Sequence, residues 1–205
     1  MSRAIKRALD MVFAAAALII LSPVFLLTAV AIRVNMGRPV LFRHQRAGFC
    51  GQPFIMLKFR TMTDEKDENG CLLPDADRLT RLGRLLRKTS IDELPQLWNV
   101  VKGEMSFVGP RPLLVEYTPF YTSDQCRRHN VLPGIVGLPA VKGRASNPWE
   151  KRLEMDTYYV DNWSLLLDIK IVFMAIPAVF NFGAVNEEGQ ATCCKFSGTD
   201  KADIQ

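Results

Sequence analysis

One long apolar run near the start dominates the pattern of hydrophobic and polar positions. Residues 11–32 are 22 consecutive positions without a charge, between Asp10 and Arg33. As one straight helix they would extend about 33 Å, enough to cross a bilayer core of about 30 Å. Ser22 and Pro23 interrupt the run, and proline removes a helix hydrogen bond and clashes with the preceding turn. The pattern therefore predicts two helical halves that bend at Ser22-Pro23.

Two topologies fit this apolar run. Basic residues flank both of its ends, and such flanks are typical of the cytoplasmic side of a membrane. A re-entrant hairpin that enters and leaves by that side satisfies both flanks and is favoured. A kinked full span is the alternative, because proline is tolerated in spanning helices. A signal peptide is disfavoured, since the run is too long and no small-residue cleavage site follows it.

The segments up to residue 70 have shorter patterns. Residues 41–62 combine short apolar runs with glycine and proline, which predicts strands or loops. Residues 64–70 are a charged loop that ends in an Asn-Gly turn.

Two later segments have helical periodicity. Residues 78–88 form a basic amphipathic pattern that either packs on the core or lies in a membrane interface. Residues 163–180 are a second amphipathic helix, which Pro177 is expected to interrupt. From Asn186 the chain is polar and is expected to be a loosely held tail.

Composition and charge narrow the functional class. The chain has 205 residues, 48% of them hydrophobic, and a net charge of +5, which fits one globular domain. The first 50 residues carry one acid and seven basic side chains: Arg3, Lys6, Arg7, Arg33, Arg38, Arg43 and Arg46. Positive charge beside an apolar run favours an anionic membrane surface over nucleic acid. The five cysteines lack metal-ligand spacing and are interpreted as free thiols in a reducing compartment.

The strongest candidate for chemistry is the pair Asp92 and Glu93 within residues 90–97. Ser90 and Glu93 have the spacing of a helix capping box, which is the structural alternative for Glu93. Asp92 falls near a helix start, where the positive end of the dipole favours its anion and attracts phosphate. A carboxylate beside a phosphate site is the arrangement that an aspartyl nucleophile requires.

Several cations could bind that phosphate. Arg111 lies between two prolines, which stiffen its loop, and arginine can grip phosphate oxygens with two parallel hydrogen bonds. Lys58 and Arg60 are predicted to share one face of a strand. The alternative interpretations are a surface turn and a solvated strand face. Arg144 and Asp156 have no local signal, and a structural role is expected for His44 and His129. No Ser-His-Asp set, P-loop or dinucleotide glycine motif is present.

Several motifs in order give the chain a family resemblance. The matching segments are residues 6–10, 21–23, 45–48, 58–62, 92–97, 99–106, 109–112, 133–135 and 143–144. In these segments the chain resembles the bacterial sugar transferases, the monotopic phosphoglycosyl transferases, over nearly its whole length from residue 6 to 198. Residues 137–141 depart from the family pattern, which usually has glutamine before the valine.

The resemblance implies an α+β fold, mostly helical, with interfacial amphipathic helices and a small compact catalytic core. It implies a re-entrant anchor (residues 1–36, broken at Ser22 and Pro23), a cytoplasmic catalytic domain (37–185) and a tail (186–205). The protein is then expected on the cytoplasmic face of the bacterial inner membrane. Its partners would be a UDP-sugar, undecaprenyl phosphate and the bilayer, without nucleic acid, and a homodimer is left open.

The resemblance also implies a mechanism. Asp92 attacks the β-phosphate of the UDP-sugar and releases UMP, and undecaprenyl phosphate then takes the sugar phosphate from the aspartate. Glu93 orients or deprotonates the lipid phosphate, and Mg²⁺, held partly by Asp92, offsets charge. The phosphate-binding and substrate-binding residues implied are Arg111, Lys58, Arg60, Arg144 and Asp156.

The sequence leaves alternatives open for the donor sugar and for the class of protein. Residues 188–196 are similar to a transferase of UDP-N,N'-diacetylbacillosamine, so this donor or a related UDP-N-acetyl sugar is expected. UDP-galactose or UDP-glucose is the alternative donor. A non-catalytic membrane-anchored binding protein is the alternative of another class.

Overall fold

The computed structural model describes residues 3–142, 147–180 and 196. The fold is α+β and mostly helical, as the resemblance implied. The helices are α1 (Arg3–Ile20), α2 (Ser22–Met36), α3 (Asp75–Arg78), α4 (Arg81–Lys88), α5 (Gln96–Lys102), α6 (Ser123–Cys126), α7 (Leu138–Val141), α8 (Trp149–Asp161) and α9 (Leu165–Phe180). The strands are β1 (Leu41–Ala47), β2 (Pro53–Phe59), β3 (Ser106–Val108) and β4 (Gly134–Val136).

The predicted bend lies between α1 and α2, which meet at an angle of 61°. Pro23 has no N–H to offer the carbonyl of Ile19, and the hydroxyl of Ser22 donates to that carbonyl at 2.8 Å. Among the described residues no single helix is long and apolar enough to cross a membrane, although the bent pair reaches that length together.

The N-terminal end of α1 is fastened to the rest of the protein. Arg7 donates to the carbonyls of Val100 at 2.6 Å and Val101 at 2.9 Å, at the C-terminal end of α5. Lys6 forms an ion pair with Asp168 of α9 at 2.6 Å. These two basic side chains of the N-terminal flank therefore make internal contacts.

The far end of α2 is fastened as well. Ile32 is fully buried and belongs to an apolar cluster with Phe59 of β2 and Leu86 of α4. Arg60 donates to the carbonyls of Met36 at 3.2 Å and Arg38 at 2.9 Å. The beginning of α1 and the end of α2 are thus both attached to the part of the protein that follows them in the chain.

Residues 41–62, predicted as strands or loops, contain strands β1 and β2, which pair as an antiparallel hairpin with Leu41 opposite Phe59. Asn99 of α5 is fully buried, and its side chain binds strand β2. The Asn99 amide accepts from the Leu57 N–H at 3.1 Å and donates to the Ile55 carbonyl at 2.7 Å. The hairpin therefore has a fixed position relative to the start of α5.

The basic segment 78–88 is not one helix. Arg78 ends the short α3, where it pairs with Asp75, and α4 begins at Arg81. Within α4, Leu86 packs in the core, whereas Leu85 is 56% exposed.

Two predictions for the C-terminal region fail. Helix α9 continues through Pro177 to Phe180 instead of being interrupted there. Phe196 is buried in an aromatic cluster with Tyr117, Tyr121 and Trp149, so the tail is held at this residue. The remaining residues of the predicted tail lie outside the described ones.

Candidate active site

A basic cleft of about 1290 Å³ opens between the β1–β2 hairpin, the turn that precedes α5 and the helix α8. Nine arginine and lysine side chains line it, against five carboxylates. Such an excess of positive charge favours an anionic ligand. Asp92, Glu93, Lys58, Arg60, Arg111 and Asp156 all contribute to the lining.

Asp92 and Glu93, here called the dyad, lie on a single 3₁₀ turn, Ile91–Glu93. Ser90 precedes it in the left-handed region at φ 56° and makes no side-chain capping bond. The capping-box interpretation is therefore wrong. Glu93 is engaged by cations from other parts of the chain instead.

Glu93 joins two of the predicted cations at one oxygen. Its Oε1 accepts from Lys58 Nζ at 2.6 Å and from Arg111 at 2.5 Å. Burial alone would raise the pKa of Glu93, but Arg111 and Lys58 outweigh it and lower the pKa to about 2. Glu93 therefore remains a carboxylate throughout the physiological range.

Asp92 is in the opposite electrostatic situation. Its side chain is buried, and no hydrogen bond reaches it from the part of the chain that the structure describes. Burial raises the pKa of Asp92 to about 6, although Lys58, Arg87 and Arg111 oppose the shift. The prediction that a helix dipole stabilises the Asp92 anion is replaced by a buried carboxylate whose charge is costly without a ligand.

Arg111 follows β3 in a loop held by close backbone packing. Strands β3 and β4 are parallel, and a Cβ on Gly134 would lie 2.1 Å from the backbone N of Gly109. Arg128 donates to the Arg111 carbonyl at 2.7 Å. The loop is therefore fixed while the Arg111 side chain stays half exposed at 50%.

Asp156 lines the cleft, and its predicted contact with substrate stays a prediction. It is buried and forms an ion pair with Arg128 at 2.7 Å. Arg128 in turn donates to the Arg111 carbonyl, so Asp156 also supports the position of the Arg111 loop.

The two cations predicted to share a strand face also separate. Lys58 reaches the dyad, whereas Arg60 follows the end of β2 and binds the carbonyls at the end of α2 and the carboxylate of Asp64. Arg60 is buried by these contacts. Arg144 lies outside the described residues.

Six further arginines line the cleft that the sequence did not indicate as site residues: Arg43, Arg46, Arg78, Arg87, Arg128 and Arg152. Arg87 donates to the Thr61 hydroxyl at 3.1 Å, and its charge lowers the pKa of Asp92. The signal for Arg87 was its position five residues before Asp92. Arg46 and Arg128 are brought to the cleft by tertiary contacts, which no local pattern announces.

The chain is similar to known proteins over most of its length. A family model described as bacterial sugar transferase matches residues 1–182. A Bacillus subtilis protein named as the uncharacterized sugar transferase EpsL is 48% identical, covering 95% of this chain and 96% of the relative. The exopolysaccharide production protein ExoY of Rhizobium meliloti is 41% identical, with 85% and 84% covered. A UDP-glucose:undecaprenyl-phosphate glucose-1-phosphate transferase of Caulobacter vibrioides is 40% identical, with 85% and 69% covered.

Proposed function

Because the chain belongs to the bacterial sugar transferase family, we propose that it moves a sugar 1-phosphate from a UDP-sugar to undecaprenyl phosphate. An Asp92 oxygen attacks the β-phosphorus, the bond to the α-phosphate oxygen breaks, and UMP leaves. A phosphate oxygen of the lipid then attacks the same phosphorus. This step breaks the bond to Asp92 and yields the polyprenyl diphosphate sugar.

The divergent environments of the two adjacent carboxylates carry this proposal. Asp92 has a pKa of about 6 and no hydrogen-bond partner among the described residues, so its anion is poorly stabilised before the donor binds. Glu93 has a pKa of about 2 and two cationic partners. Such a division between neighbouring carboxylates assigns them different roles. Asp92 suits nucleophilic attack, and Glu93 suits positioning.

Glu93 orients and does not deprotonate. A carboxylate with a pKa of about 2 is a weak proton acceptor at neutral pH. The lipid phosphate needs little help, since a phosphate monoester loses its second proton near pH 6. Glu93 therefore holds Lys58 and Arg111 where the phosphates bind.

Mg²⁺ fits this site only as an ion shared with the substrate. No group of three or more potential ligand side chains occurs among the described residues. Mg²⁺ is commonly held by one or two carboxylates together with substrate phosphates. Asp92 offers such a carboxylate, and a bound ion would offset the negative charge of the diphosphate.

Turnover itself tests the reaction class. Release of UMP from a UDP-sugar in the presence of undecaprenyl phosphate is expected from the purified protein. A non-catalytic binding protein would release none. A panel of UDP-glucose, UDP-galactose and UDP-N-acetyl sugars identifies the donor sugar. The panel is needed because the chain's C-terminal residues and the Caulobacter relative indicate different sugars.

The protein is further proposed to sit on the cytoplasmic face of the bacterial inner membrane, with α1 and α2 as a re-entrant pair. The attachments of Arg7 and Lys6 at one end and Ile32 at the other support this placement, because both ends must then lie on one side. Between them the pair exposes large apolar side chains: Met11, Val12, Phe13, Ile19, Ile20, Leu26, Leu27 and Val30.

Cysteine labelling tests the side on which the N-terminus lies. The variant Ser2→Cys is made with Cys126 kept and the other native cysteines replaced, since Cys126 is exposed on the catalytic part. Both thiols should resist a membrane-impermeant maleimide in spheroplasts and react after permeabilisation. Labelling of Ser2→Cys alone in intact spheroplasts would replace the hairpin by a kinked span.

Acid should suppress the first half-reaction. Asp92 attacks only when ionised, and its pKa of about 6 in the free protein puts the loss below that pH. The kcat/KM for UMP release is expected to fall about tenfold per pH unit below pH 6. Single-turnover assays with the donor alone isolate this group, because the titrating lipid phosphate is left out. A flat rate from pH 7 to 5 would contradict the assignment.

A further inference from the structure

Arg46 is a cation without a counter-charge in the part of the chain that the structure describes. It lies on β1 and lines the cleft, and its Nε is inaccessible to solvent and makes no hydrogen bond. Its one side-chain hydrogen bond joins its guanidinium to His44 Nδ1 at 3.2 Å. A positive charge in this position is expensive unless an anion compensates it.

Four other cleft cations differ from Arg46 because each has a carboxylate partner. Lys58 and Arg111 share Glu93, Arg60 pairs with Asp64, and Arg128 pairs with Asp156. The neighbour of Arg46, His44, supplies no charge. Burial and the nearby Arg46 both lower the pKa of His44, so its ring stays neutral. Its Nδ1 accepts a hydrogen bond from the Arg46 guanidinium group.

Arg46 is also held close to Arg111. The Ala47 N–H donates to the Leu113 carbonyl at 3.0 Å, which fastens the end of β1 to the loop that follows Arg111. Burial lowers the pKa of Arg46, and the charge of Arg111 lowers it further. Arg46 and Arg111 are therefore neighbouring guanidinium groups, and Glu93, which contacts Arg111 and Lys58, makes no ion pair with Arg46.

We propose that Arg46 binds a phosphate group in the cleft, together with Arg111. A phosphate group would supply the missing negative charge to the guanidinium group of Arg46, a pairing that arginine favours. The source of the phosphate rests on the proposed function. Either the diphosphate of the donor or the phosphate of the lipid has the required chemistry.

Binding of inorganic pyrophosphate tests the site without turnover. The full chain in detergent is titrated by calorimetry as wild type, Arg46→Gln and Arg46→Lys. Arg81→Gln, which removes an exposed arginine outside the cleft, is the charge-matched control. Arg46→Gln should bind at least about tenfold more weakly, Arg46→Lys should retain part of the affinity, and the control should match the wild type.

Stability separates a binding role from a structural one. Because Arg46 lacks a counter-charge, Arg46→Gln should melt no lower than the wild type without ligand. Unchanged pyrophosphate binding in Arg46→Gln would overturn the proposal, as would a loss of binding accompanied by a lower melting temperature and no recovery in Arg46→Lys. The result stands whether or not the protein releases UMP, so the two proposals can fail independently.

Kinetics identify the source of the phosphate. If Arg46 binds the donor, Arg46→Gln raises the KM for the UDP-sugar and slows UMP release without lipid. If it binds the lipid phosphate, UMP release from the donor alone is normal and the KM for undecaprenyl phosphate rises. Unchanged values for both substrates would again overturn the proposal.

Discussion

Asp92→Asn is expected to abolish turnover and, at the same time, to stabilise the folded protein. The amide cannot serve as the nucleophile, so no sugar phosphate can be transferred through it. The stability gain follows from the raised pKa, about 6 against an ordinary value of 3.8. A shift of about two pKa units corresponds to about 3 kcal/mol of unfolding free energy. The protein with ionised Asp92 is less stable by this amount than the protein with a neutral side chain at this position. Activity and stability therefore move in opposite directions.

The stability gained by Asp92→Asn depends on pH. Between about pH 4 and 6 the folded protein keeps the Asp92 proton that the unfolded chain loses, so stability falls as the pH rises through this window. Thermal melts of the wild type and Asp92→Asn should therefore converge near pH 4 and differ most above pH 6. Asp77→Asn, at an exposed position outside the cleft, should match the wild type in both activity and melting. Near-normal turnover of Asp92→Asn would end the nucleophile assignment.

Glu93→Gln is expected to reduce turnover by about 100-fold or more and to destabilise the fold. The neutral amide cannot hold Lys58 and Arg111 together, and small displacements of binding groups are costly in rate. The loss of two charged hydrogen bonds at a partly buried oxygen should cost about 2 kcal/mol. The low pKa of Glu93, about 2, means that this stabilisation is complete above pH 4.5 and is lost between pH 4.5 and 2.

Glu104→Gln is the matched control for that variant. Glu104 also accepts from two side chains, Lys102 at 2.7 Å and Asn99 at 2.6 Å, but it does not line the cleft. Both substitutions should lower the melting temperature, and only Glu93→Gln should lower kcat. Equal kcat values in the two variants would remove Glu93 from the site. Intermediate that accumulates in Glu93→Gln would locate its effect in the second half-reaction.

The sequence predicted the features that depend on near neighbours. The bend needs only Pro23 and the hydroxyl beside it, and short apolar runs with glycine between them indicated strands or loops where β1 and β2 lie. The dyad was identified because two adjacent carboxylates stood among cations. Lys58 and Arg111 were found as well, since a strand and a proline-bounded loop gave each a recognisable setting.

The failures concern contacts between distant parts of the chain. No local pattern revealed that Asp156 pairs with Arg128, which lies 28 positions earlier. No local pattern revealed that Lys6 pairs with Asp168, because the two residues are 162 positions apart. The charge state of Asp92 depends on burial, which a local helix-start pattern does not report.

Intact-protein mass spectrometry after mixing with a UDP-sugar alone tests the covalent aspartate most directly. Without the lipid acceptor the second half-reaction cannot proceed, so wild-type protein should gain the mass of one sugar phosphate. The adduct should map to Asp92, disappear when undecaprenyl phosphate is added, and be absent from Asp92→Asn. A wild-type protein that turns over with lipid present but never gains this mass would contradict the covalent mechanism.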